Sequence, residues 1–120
     1  MIRCNTNNRI LGAKGEDIAC EYLIQNGYKI LERNKHFSKL CEIDIIAQYK
    51  KKVVFVEVKT RKNDAFGTPL EAITKTKYNN IKTGVFSYLK DNNIKDYQID
   101  AIGITLEPEL KIKHLKNVSF

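Results

Sequence analysis

The chain has 120 residues, 21 of them Lys or Arg and 14 Asp or Glu, for a formal charge of +7 and an isoelectric point near 9.3. A chain of this length forms one domain that buries roughly two thirds of the surface its unfolded form would expose, so cross-links are not needed. Its three cysteines, Cys4, Cys20 and Cys41, are odd in number and lack CxxC spacing, which argues against both a disulfide framework and a zinc site.

No apolar run approaches the ~18 residues of a membrane span, and the opening MIRCNTNNRI has no apolar leader core. A cytoplasmic protein with no membrane association is therefore expected. The positive excess suits a polyanionic partner such as nucleic acid.

In chain order, residues 1–8 are polar, lack a period and are expected to form a flexible N-terminus, leaving 9–120 as a single domain. Over residues 9–26, Leu11, Gly15, Ile18, Ala19, Tyr22 and Leu23 recur at three and four, which predicts one buried helical stripe ending at Gly27. Glu16 falls at the edge of that stripe. Residues 28–33 (YKILER) read as a short strand, and 34–40 (NKHFSKL) as a basic connection. The following hairpin, CEIDIIAQYKKKVVFVEVKT over residues 41–60, is where the chemistry concentrates. The segment TRKNDAFGTP then reads as a loop. A second helix is expected over residues 69–90, interrupted near Thr74, with Tyr78, Ile81, Val85, Tyr88 and Leu89 inward. YQIDAIGIT at 97–105 predicts another strand, and LKIKHL at 110–115 a lysine-bearing edge strand. The order α-β-β-β-α-β-β predicts an α/β domain with a small mixed sheet flanked by helices.

Side chains alternate along a strand, so Ile43 and Ile45 are expected on one face of the hairpin and Glu42, Asp44 and Ile46 on the other. Matching the isoleucine and valine rows across the hairpin sets Asp44 opposite Glu57 and Glu42 opposite Lys59, each pair with Cβ atoms about 4.5–5.5 Å apart. Two carboxylates at that distance repel by roughly 3 kcal/mol at an effective dielectric near 20. A divalent cation between them removes the repulsion. Lys59 stands two residues beyond Glu57, roughly 6.5 Å along the strand, within reach of what the cation binds. Arg61 and Lys62 leave the same site, where a phosphate backbone could be held; Lys75 and Lys77 on the second helix are further candidate phosphate contacts. His36 is read as a surface residue.

No Gly-rich phosphate loop, HExxH or GxSxG occurs, so nucleotide-hydrolase, zincin and serine-hydrolase readings fall away. An Asp, twelve residues, then Glu-x-Lys resembles the PD-(D/E)XK nuclease superfamily. Gly15-Glu16, Ala19, Tyr22-Leu23, Gly27-Tyr28, Glu42-Ile43-Asp44-Ile45-Ile46, Phe55-Val56-Glu57-Val58-Lys59-Thr60-Arg61 and Phe66-Gly67 together resemble the YraN-like family of small bacterial proteins, over about residues 9–106. Ile43 stands where the superfamily name has proline, and Leu40-Cys41 where the YraN-like family usually has a glycine pair. The resemblance implies a restriction-endonuclease-like and Holliday-junction-resolvase-like core. It implies Asp44, Glu57 and the Val58 carbonyl as ligands of Mg²⁺ or Mn²⁺, Glu16 reaching the site from the first helix, and Lys59 serving the attacking water. Lys59 is expected to stay protonated beside the carboxylates, and Glu42 to support it as an ion-pair partner. The implied activity is a metal-dependent nuclease acting on DNA more than RNA, possible substrates including branched DNA; the rival is a non-catalytic nucleic-acid-binding or adaptor module on the same fold. A homodimer follows by analogy with junction-cutting enzymes.

Overall fold

In the computed structural model, which describes residues 6–38, 41–65 and 67–119, five strands form one mixed sheet with a helix on each face. The elements are α1 (Thr6–Gln25), β1 (Lys29–Ser38), β2 (Cys41–Tyr49), β3 (Lys52–Arg61), a 3₁₀ turn (Pro69–Ala72), α2 (Lys75–Asn92), β4 (Tyr97–Thr105) and β5 (Lys111–Leu115). They follow the expected order. The sheet runs β1-β2-β3-β4-β5, antiparallel except between β3 and β4, whose parallel pairing is bridged by α2.

Two apolar layers sandwich the sheet. Ala19, Cys20 and Leu23 of α1 pack on Ile45, Ala47, Val54, Val56, Val58, Ile102 and Ile104. On the other face, Tyr78, Ile81, Val85 and Tyr88 of α2 pack on Cys41, Ile43, Ile46, Val53, Phe55 and Ile99. β3 is buried on both faces, which is why its sequence reads as a nearly continuous apolar run. Cys20 and Cys41 are free buried thiols, and burial raises the pKa of each; Cys4, Leu40 and Phe66 lie outside the described residues.

The helix ends follow local chemistry. Gly27, at φ 90°, closes α1 with Gly27 N–H donating to Ile24 O and Tyr28 N–H to Leu23 O, a Schellman pair. Thr74 interrupts the second helical segment as foreseen: its hydroxyl accepts from Lys77 N–H and caps α2.

Three local expectations change. α1 begins at Thr6, so three of the residues assigned to a flexible terminus are helical, and residues 1–5 lie outside the described ones. Residues 34–38 are strand rather than connection, paired with β2 from Lys35↔Ile43 to Ser38↔Cys41. Their apolar period is hidden by register shifts between Ile30 and Glu32 and between His36 and Ser38, and by Asn34 at φ 52°. Ile43 and Ile45 lie in opposite layers, not on one face. The β2–β3 ladder runs only from Tyr49↔Lys52 to Ile45↔Val56. Beyond it the Asp44 carboxylate, rather than a β2 carbonyl, accepts from Val58 N–H at 2.8 Å, and the alternation slips there.

β5 is pinned by a buried polar chain. Asp100, fully buried, accepts from Gln98 Nε2 and Asn117 N–H on one oxygen and meets His114 Nε2 at 2.7 Å on the other, while Tyr22 Oη lies 2.9 Å from His114 Nδ1. Asp100 and His114 are thus both partnered, which keeps this network from opposing folding.

Candidate active site

Where β2 and β3 part, the gap between them, the middle of α1 and the first turn of α2 opens into a cavity of about 670 Å³. Asp44, Glu57, Val58, Lys59, Glu16, Arg61, Lys62 and Lys77 all line it. Eight of the ten residues singled out in the sequence therefore meet in one place. Lys75 is exposed and not part of the lining, and Glu42 faces His36 across β1, Oε2 to Nε2 3.7 Å, instead of Lys59.

Glu16 reaches the cavity because α1 lies against β3 at Gly15. A Cβ at Gly15 would collide with the Thr60 side chain. Glu16 is largely covered, its Oε1 3.7 Å from Arg33 Nη2. Its pKa is raised first by burial, a shift opposed by a hydrogen bond from Asn34 and by the Arg33 charge and reinforced by Glu42 and Glu57.

The two central carboxylates are unequal. Glu57 is 4% exposed and forms an ion pair with Lys77 Nζ at 2.7 Å. Among the described residues Asp44 has no such cationic partner. Burial, then the charge of Glu57, push its pKa from an ordinary 3.8 to about 8, against the lowering effect of the Val58 N–H bond. The repulsion foreseen between these groups is present, although they are not ladder partners.

The carboxylate neighbours favour protonated Lys59, as expected, but other influences are larger. Its pKa is lowered, by burial first and by the Lys77 charge second, with Glu57 and Asp44 pulling the other way. Lys77 takes the close contact with Glu57, and its own pKa is raised by Glu57 against burial, the largest single influence on it. A helix residue placed among the outer phosphate contacts by sequence thus sits inside the site. Its position three residues after the Thr74 cap, on the turn of α2 facing the end of β3, was the available signal.

Two further polar atoms at the cavity are buried without a hydrogen-bond partner among the described residues, Thr60 Oγ1 and Arg61 Nε. Thr60 Oγ1 lies against Gly15 of α1, at the contact that brings the helix onto β3. Among the described residues no three His, Cys, Asp or Glu side chains stand close enough to hold a metal by themselves, so a cation here would need main-chain, water or substrate oxygens as well.

The sequence profile of Uncharacterised protein family UPF0102 matches residues 15–104. A UPF0102 protein of Syntrophomonas wolfei is 42% identical over 113 residues, covering 92% of this chain and 97% of its own. Another, from Caldanaerobacter subterraneus, is 44% identical over 117 residues, covering 92% and 95%, and one from Clostridium botulinum is 41% identical over 116 residues, covering 92% and 94%. Among solved structures, Pyrococcus furiosus SfsA in complex with Ca²⁺ is 18% identical with a TM-score of 0.37, covering 91% of this chain and 63% of that one, a likeness too slight to bear on function. With the profile spanning both carboxylates, both lysines and Glu16, and with relatives matched nearly end to end, the chain belongs to the UPF0102 family, the YraN-like proteins.

Proposed function

We propose that this protein is a metal-dependent nuclease that hydrolyses phosphodiester bonds in nucleic acid, DNA in preference to RNA, with branched DNA among its substrates. The observation that carries the reading is the convergence of Asp44, Glu57 and Lys59 on one cavity walled by Glu16, Arg61 and Lys62. The donor set fits Mg²⁺ or Mn²⁺. Val58 N–H occupies Oδ2 of Asp44, Lys77 occupies Oε2 of Glu57, and the two carboxyl groups are hydrogen-bonded to each other, so a cation would take the place of the proton they share. The Val58 carbonyl and water would complete the set, with Glu16 joining directly or through water. Such an ion, when bound, supplies Lewis acidity to the attacking water and to the phosphoryl oxygens.

The chain's own groups do the rest. Lys59, with its pKa lowered, releases its proton more readily than a free lysine and can accept one from the attacking water. The Arg61 guanidinium, which lines the cavity, donates to phosphoryl oxygens. Lys62 holds the neighbouring phosphate. Incubated with four-way, single-stranded and duplex DNA and their RNA counterparts in Mg²⁺ or Mn²⁺, the protein is expected to cut at least one substrate, and Glu57→Ala to abolish cutting. Equal cleavage by both would identify a contaminant and overturn the reading.

One observation favours the rival, a non-catalytic nucleic-acid-binding or adaptor module: the Lys77 ammonium already neutralises Glu57. That module binds nucleic acid with the same affinity in EDTA and in Mg²⁺, whereas the nuclease gains affinity or activity with the metal. Light scattering with and without a four-way junction tests the homodimer.

A further inference from the structure

At the far end of the β2–β3 hairpin a second cavity, of about 490 Å³, opens between the turn, the start of β4 and the chain that follows β5. It lies about 20 Å from the carboxylates, six residues of strand at ~3.3 Å each. Its wall is made by Tyr28 and Tyr49, whose rings stack with centroids 4.5 Å apart at 26°. Lys50, Lys51, Lys52 and Lys116 line it, against one acidic residue, Asp96. Lys50 Nζ sits 5.2 Å from the Tyr49 ring centroid.

The turn itself is costly. Tyr49 pairs with Lys52, so Lys50 and Lys51 form a two-residue hairpin turn, and Lys50 has φ 57°. Asn or Gly suits that left-handed position best. Three successive lysines also repel one another. A residue held where both backbone and charge disfavour it points to a ligand that needs it there.

We propose that this cavity binds the phosphate of a nucleotide unit, with Lys50, Lys51 and Lys116 around the phosphate oxygens and the Tyr49 ring as the wall for sugar or base. The site is separate from the carboxylate cavity and needs no metal. Free nucleotide and a nucleic-acid strand offer the same chemistry, and the test separates them. The full chain in EDTA is titrated with fluorescein-labelled dT20 by anisotropy and with ATP by calorimetry, for wild type, the double variant Lys50→Gln/Lys51→Gln, Lys50→Gly and Lys90→Gln. The double variant is expected to bind dT20 at least about fivefold more weakly at low salt, with the slope of log K against log salt reduced by about 1.4, roughly 0.7 per lost contact. Lys90→Gln, an exposed lysine that lines neither cavity, is expected to bind as wild type does. Lys50→Gly, which relieves the turn, is expected to melt at or above the wild-type temperature while binding more weakly, so that misfolding is not the cause. Loss of ATP binding alone in the double variant assigns free nucleotide; loss of dT20 binding assigns the strand. Unchanged affinity for both probes, or a wild type that binds neither, overturns the proposal. Failure to cleave leaves these outcomes unaffected, so the two readings fail separately.

Discussion

Asp44 and Glu57 stand on strands that have just parted, and the difference in their surroundings gives each a separate prediction. Asp44 is destabilised as an anion by burial and by Glu57. Asp44→Asn keeps an oxygen to accept from Val58 N–H and deletes one charge, so without metal at pH 8 it is expected to raise stability by about 1–3 kcal/mol, the range discounted for coupling and screening. A structural ion pair would give the opposite sign, because its partner would be left unpaired. Wild type is expected to gain melting temperature in millimolar Mg²⁺ or Mn²⁺ and the variant to lose that gain, both read by thermal melts. For the lysine pair, Lys77→Met removes the ammonium that lowers the Lys59 pKa and frees Glu57 to face Lys59. The Lys59 pKa then rises. Under the nuclease reading, the increase of kcat/KM with pH is expected to move to higher pH in Lys77→Met, and an unmoved profile would remove Lys59 as the base.

Between elements, the position of the site depends on how closely α1 lies on β3. That contact is made at Gly15 against Thr60, and it carries Glu16 to the cavity. Gly15→Ala is expected to lift the helix, costing about 1–3 kcal/mol as an overpacked contact and lowering any metal-dependent activity more than stability alone explains. Denaturant melts and cleavage rates measured on the same preparation check this. On the opposite face, a Cβ at Gly84 would crowd Phe37 and Cys41, so α2 is held equally close to β1 and β2. The two helices thus fix the two sides of the cavity independently: α1 brings Glu16 and α2 brings Lys77.

For the whole molecule, the raised pKa of Asp44 couples stability to pH. Its folded value of about 8 lies above its ordinary 3.8, so between those values the folded chain keeps a proton that the unfolded chain has released. The contribution is complete below about pH 4 and is lost as pH rises toward 8. Melting temperature in EDTA is therefore expected to fall across that window, and to fall less in Asp44→Asn or with Mg²⁺ present. A flat profile in wild type would mean that Asp44 is not buried against Glu57. Among the described residues no helix is long and apolar enough to cross a membrane.

The sequence by itself determined the element order, the Gly27 and Thr74 helix boundaries, the hairpin register from Ile45↔Val56 to the turn, and the carboxylates and Lys59 of the site. These are local properties: periodicity, capping chemistry and turn length act between residues a few positions apart. Tertiary structure alone decided the slip at Asp44, the length of β1 and the pairing of Lys77 with Glu57. A strand's irregularities depend on the backbone it meets, so β1 could not be bounded from its own polar residues. The same reason explains the lowered pKa of Lys59: counting neighbours along β3 finds Glu57, but only tertiary packing buries the amine and brings the Lys77 ammonium of α2 beside it, and burial and charge interactions follow distance in space rather than in sequence.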